Sequence, residues 1–170
     1  ALGNRMRGRL KLAALVVDAD DALLERIAAA VAPDYFQLHG NESPERAAAI
    51  AARFAIPVIK ALPVAVPADL ARARAYPMAA MLMFDTPAAP GAIRPGGHGV
   101  AFDWTMLAGH SFAQPWFLAG VRTPDMGARA VAASGAALGD VSSCVESAPG
   151  VKSDALIGAF AAAAKNRVTA

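Results

Sequence analysis

The chain predicts an α/β fold, an incomplete (βα)8 TIM barrel of about six βα units. Three observations carry this expectation. Six short runs are apolar on both faces, as the strands of a buried parallel sheet are. Amphipathic helical patterns lie between them. The strand starts recur about every 22 to 24 residues, apart from one longer step after Met81 that holds a Gly-rich loop. A doubly wound open sheet is compatible with the same alternation. The even spacing, and the polar residues at the strand ends, favour the barrel, which closes with eight units.

In chain order, the expected strands are Leu12 to Val17, Tyr35 to Leu38, Pro57 to Ile59, Met81 to Phe84, Pro115 to Ala119 and Ala137 to Val141. Asp20 can cap a helix over Asp21 to Val31, in which Leu24, Ile27 and Val31 share a face. Ser43-Pro44-Glu45 is an N-cap with proline at the first helical position, and Ala47, Ile50, Ala51 and Phe54 form the apolar stripe that follows. Thr123-Pro124-Asp125 repeats that start signal. Ser153 can cap a last helix carrying Leu156, Phe160 and Ala164. No linker or low-complexity tract divides the chain, so residues 1–170 read as a single domain, with Pro87 to Gly99 as a long site loop.

Composition narrows the function classes. The chain has 170 residues, 56% hydrophobic and 18% charged, with a net charge of +2, which is globular and argues against a nucleic-acid binder. The opening Arg5, Arg7, Arg9, Lys11 run reads as a solvated helix end and strand start. The one cysteine, Cys144, allows no internal disulfide and fits a cytoplasmic protein. No apolar run approaches the roughly 18 residues of a membrane span. His39 and His98 have no Cys or third His to complete a metal site, and His110 falls in an expected surface turn, so no metal is expected.

The strands end in polar residues: Asp18, His39, Lys60 and Asp85 follow the first four, and Asp140 lies within the last. In a parallel barrel these ends converge on one mouth, where such enzymes place their sites. Polar strand ends also meet solvent in any fold, so the register of all five carries the argument. Gly120, and Ser142 with Ser143, lie in loops whose backbone N–H groups can cradle a phosphate. An ordinary turn and helix cap is the competing reading of each loop. Gly96-Gly97-His98-Gly99 lacks the spacing of a Walker or Rossmann loop.

Six segments in order resemble the phosphoribosylanthranilate isomerase family. They are Phe36-Gln37-Leu38-His39-Gly40-Asn41-Glu42, Val58-Ile59-Lys60-Ala61, Phe84-Asp85-Thr86, Pro95-Gly96-Gly97-His98-Gly99 with Phe102-Asp103-Trp104, Pro115-Trp116-Phe117-Leu118-Ala119-Gly120, and Asp140-Val141-Ser142-Ser143-Cys144-Val145-Glu146-Ser147-Ala148-Pro149-Gly150-Val151-Lys152. The resemblance implies a barrel enzyme of tryptophan biosynthesis that performs an Amadori rearrangement without a cofactor. It implies Asp85 as the general acid, its carboxyl partly buried. It implies Gln37, His39 and Asp140 as substrate-binding residues, and Gly97, Gly120, Ser142 and Ser143 as the phosphate-binding set. Its partner is then a small phosphorylated substrate, with neither nucleic acid nor membrane.

The chain departs from the family at several places. The Lys-x-Cys-Gly motif that carries the family's base, and the Ser-x-Arg segment that binds the anthranilate side, are both absent. The expected alignment covers units three to eight of the barrel, with the first two missing. Val121 stands where the family has a second glycine, and Cys144 where it has the glycine of Ser-Ser-Gly-Val-Glu. Open strand edges then predict poor solubility, a homo-oligomer, or dependence on an N-terminal segment. The competing readings are a truncated, non-catalytic copy that binds a phosphorylated ligand, and another phosphate-binding barrel such as an indole-glycerol-phosphate synthase. The Gln37 to Gly40 and Asp140 to Gly150 segments argue against the last.

Overall fold

The computed structural model describes residues 7–87, 103–120 and 123–165. Strand β1 (Ala13–Val16), helix α1 (Asp21–Val31), β2 (Tyr35–Leu38), α2 (Pro44–Phe54) and β3 (Val58–Pro63) come first. A 3-10 helix (Pro67–Ala75) leads to β4 (Met81–Asp85), and a second (Trp104–Leu107) precedes β5 (Trp116–Leu118). Then come α3 (Pro124–Ser134), β6 (Leu138–Gly139), a 3-10 turn (Ser143–Val145), the hairpin strands β7 (Glu146–Ala148) and β8 (Val151–Lys152), and α4 (Asp154–Lys165). β1 to β6 form one sheet in sequence order, and β7 and β8 an antiparallel pair.

The helices begin where short polar side chains can satisfy the first N–H groups. Asp20 accepts from Leu23 N–H at 2.8 Å, Ser43 Oγ from Arg46 N–H at 3.2 Å, and Thr123 Oγ1 from Met126 N–H at 3.1 Å. Ser153 Oγ accepts from Leu156 N–H at 3.4 Å. α1 and α2 end on Ala32 and Ala55, both in the left-handed region at φ 45° and 52°. The link from β3 to β4 differs from an ordinary crossover helix. Leu70, Ala73 and Tyr76 are buried at a spacing of three, the period of a 3-10 helix rather than an α-helix.

The chain divides into two compact units. The first comprises Ala1–Leu62, Ala71–Met83 and Ala113–Pro115. In it β1 pairs parallel with β2, Ala13 opposite Tyr35 through Val16 opposite Leu38, and β2 pairs parallel with β3, Phe36 opposite Val58 through Leu38 opposite Lys60. The core is built from Leu24 of α1, Ile50 of α2, Phe36 and Leu38 of β2, and Val58 and Leu62 of β3, all essentially inaccessible. Each such side chain contributes about 1.5–3 kcal/mol by leaving water. β1, the first strand of the sheet, is different: Leu15 is 57% exposed, and Val17 just after it 43%.

The second unit comprises Pro63–Leu70, Phe84–Phe112 and Trp116–Ala170. β5 pairs parallel with β6, Phe117 opposite Leu138 and Leu118 opposite Gly139. Phe84 packs on Phe112 and Trp116, with ring centroids 4.7 and 5.5 Å away. That aromatic cluster backs the end of β4.

Candidate active site

The first unit presents Gln37 and His39 at the end of β2. Gln37 is the third residue of the strand and is 9% exposed. His39 follows the strand directly, and its N–H donates to the Val16 carbonyl at 2.9 Å. The loop after it is held from beneath. Asp18, at φ 47°, accepts from Asn41 N–H at 2.7 Å, and its own N–H donates to Glu42 Oε1 at 2.9 Å. A Cβ on Gly40 would stand 2.5 Å from Asp18 Oδ1 and 2.7 Å from its main-chain nitrogen, so the close approach of the two loops requires glycine.

Lys60 does not end its strand, as its charge led one to expect. It lies in the middle of β3, at 2% exposure, in an ion pair of 2.8 Å with Glu42, which is equally buried. A buried charge must be paired and hydrogen-bonded, and the partner comes from the β2 loop, 18 positions upstream. Burial pushes the Glu42 carboxyl up, but the Lys60 ammonium and the Asp18 N–H outweigh it and leave the group below its ordinary value. Tyr76 completes the cluster, its hydroxyl donating to the Glu42 carbonyl at 2.9 Å.

The second unit presents Asp85, Gly120, Asp140, Ser142 and Ser143. Asp85 is the last residue of β4 and is 8% exposed. Its Oδ1 accepts from Thr86 N–H at 2.7 Å, and its carbonyl from Val64 N–H at 2.9 Å. The preceding carbonyl, of Phe84, accepts from Ala119 N–H at 2.9 Å. The carboxyl is therefore carried on a strand end whose main chain is held, the placement that proton transfer requires. Gly120 follows β5 at φ 80°, a conformation that favours glycine. Asp140 follows β6, with its N–H donating to the Leu118 carbonyl at 2.8 Å.

Ser142 and Ser143 are exposed at the start of the 3-10 turn. Lys152 steadies the turn, its Nζ donating to the Ser142 carbonyl at 2.9 Å, to Ser142 Oγ at 3.3 Å and to Glu146 Oε1 at 2.7 Å. Glu146 Oε2 in turn accepts from Gly150 N–H at 3.1 Å. Nothing in the sequence assigned roles to Lys152 and Glu146; their spacing across Pro149-Gly150 was the available signal. Burial pushes the Cys144 thiol up, against the opposing pull of Lys152, so the thiolate is scarce at neutral pH.

Gly97, His98 and Val121 lie outside the described residues. Among the described residues, no group of three or more His, Cys, Asp or Glu side chains is placed to hold a metal ion. Likewise, none of their helices is long and apolar enough to cross a membrane.

Residues 2–163 match the family model described as N-(5'phosphoribosyl)anthranilate (PRA) isomerase. The N-(5'-phosphoribosyl)anthranilate isomerase of Rhodopseudomonas palustris (strain BisA53) is 50% identical over 165 residues, which is 96% of this chain and 76% of that protein. The crystal structure of phosphoribosyl anthranilate isomerase from Thermotoga maritima superposes with a TM-score of 0.83 at 29% identity, covering 97% of this chain and 78% of that one. A phosphoribosyl anthranilate isomerase in complex with reduced 1-(o-carboxyphenylamino)-1-deoxyribulose 5-phosphate gives a TM-score of 0.76 at 28% identity, covering 96% and 78%.

Proposed function

The chain belongs to the N-(5'-phosphoribosyl)anthranilate isomerase family, and from that membership we propose how its residues divide the family's chemistry. It is an isomerase of tryptophan biosynthesis with a TIM-barrel-like α/β fold, and its substrate is a small phosphorylated molecule. Relatives that share up to half of its residues are isomerases, which favours this reading over a copy that only binds. The reaction opens the ribose ring of N-(5'-phosphoribosyl)anthranilate and moves a proton from C2, giving 1-(2-carboxyphenylamino)-1-deoxyribulose 5-phosphate. Both steps are proton transfers by positioned groups.

Asp85 is the general acid. It protonates the ring oxygen as the C1–O bond breaks, and a base then takes the C2 proton. Gly120, Ser142 and Ser143 hold the phosphate through main-chain N–H groups, together with Gly97. Asp140 contacts the ribose, and Gln37 and His39 line the substrate site. The observation that carries this reading is a nearly buried carboxyl on the braced end of β4, in the same unit as the Gly120 and Ser142-Ser143 loops.

The strand order β1 to β6 supports six βα units of a (βα)8 barrel, and the family match over residues 2–163 supports residues 1–170 as a single domain. A cytoplasmic location fits the single cysteine. The test is Asp85→Asn, followed by the fluorescence decay of phosphoribosylanthranilate. Turnover falls about 10²–10⁴-fold, the usual contribution of a general acid. Affinity for reduced 1-(o-carboxyphenylamino)-1-deoxyribulose 5-phosphate stays near that of the parent. A variant with full turnover removes Asp85 from the reaction.

A further inference from the structure

The peptide groups on both sides of His39 are held by one buried ion pair. The Leu38 carbonyl accepts from Lys60 Nζ at 3.2 Å. The Gly40 N–H donates to Glu42 Oε2 at 3.0 Å. The Gly40 carbonyl accepts from Lys60 Nζ at 2.7 Å, and the two charges meet at 2.8 Å. An ammonium has three N–H donors, and Leu38, Gly40 and Glu42 use all three. The face of Tyr76 lies 5.8 Å from the same nitrogen. Lys60 therefore has no donor left for a ligand, and at 2% exposure neither charge is open to one.

A pair of this kind is a poor way to gain stability. Desolvating two charges costs as much as their attraction returns, and apolar residues of similar volume do as well. What the pair supplies here is geometry. Through Lys60, the carbonyls of Leu38 and Gly40 are tied to the neighbouring strand β3, and the Gly40 N–H is tied to Glu42 of its own loop, which the ion pair joins to that strand.

We propose that Lys60 and Glu42 are positioning residues for His39, fixing the main chain on both sides of it and so the aim of its imidazole at the substrate. The inference rests on the reading of His39 as a residue that lines the substrate site.

The test is a thermodynamic cycle. The neutral pair Glu42→Gln/Lys60→Met leaves no charge unpaired, and His39→Ala is made in the parent and in that background. The readout is affinity for the reduced ligand named above, with thermal unfolding measured alongside. His39→Ala weakens binding about tenfold in the parent, the neutral pair does the same, and the two together lose little more than either alone. An equal His39→Ala penalty in both backgrounds overturns the inference while leaving His39 in the site. No penalty in the parent removes His39 from the site, and the inference falls with it. Should the neutral pair fail to fold, amide exchange in the parent decides: Gly40 N–H is protected like the core of β2, and exchange at an open-loop rate overturns the proposal.

Discussion

Asp18, Gly40 and Glu42 form a junction where single atoms matter. Gly40→Ala puts a methyl carbon within 2.7 Å of main-chain and side-chain atoms of Asp18. The loops must part, at a cost of about 1–3 kcal/mol, and a denaturant midpoint within error of the parent would contradict the close approach. Glu42 adds a pH signature. Its carboxyl is held below the ordinary 4.5 in the fold, so its contribution is complete above that value and is lost as pH falls through the lowered one. The stability gap between the parent and Glu42→Gln therefore closes on acidification below 4.5, as urea unfolding at a series of pH values will read. Much of this junction was invisible in the sequence. Asp18, His39 and Lys60 read alike as polar strand ends, and nothing local separates a buried, paired lysine from a solvated one. The pairing of Lys60 with Glu42 exists only once β2 and β3 are in register.

At the scale of elements, the N-terminal caps were the most legible features, because capping is a local rule. Asp20, Ser43, Thr123 and Ser153 each cap the helix that their sequence context announced. The strand limits were less so. β3 runs to Pro63 rather than ending near Ile59, since the charge at Lys60 hid a continuous strand. The link after β3 carries its buried residues at a spacing of three, which the 3.6-residue period of an α-helix passes over, and the β7–β8 hairpin is too short and too exposed to leave an apolar pattern. The helix ends show an uncorrected strain. Ala55 closes α2 at φ 52°, where a Cβ is disfavoured and glycine is the usual choice. Ala55→Gly removes that strain and stabilises the protein by about 0.5–1 kcal/mol. The expected rise in Tm is about 2 °C; a fall on thermal unfolding would show that the site tolerates alanine freely.

For the whole molecule, the sheet and its six strands were legible as alternating patterns, whereas the strand order needed the structure. β1 stands first in that order, and Leu15 on it and Val17 beside it are largely exposed. An apolar edge of this kind recruits other chains. Leu15→Lys places a charge on it and is expected to raise the soluble yield and lower light scattering of the purified chain; unchanged scattering would clear this edge of a part in self-association. The same order has a kinetic side. Each strand after β1 lies beside the one synthesised just before it, so every later strand leaving a ribosome meets a template already in place. Growth of the sheet can keep pace with translation, one loop closure at a time, and the segment that waits longest for its neighbour is the one between β4 and β5.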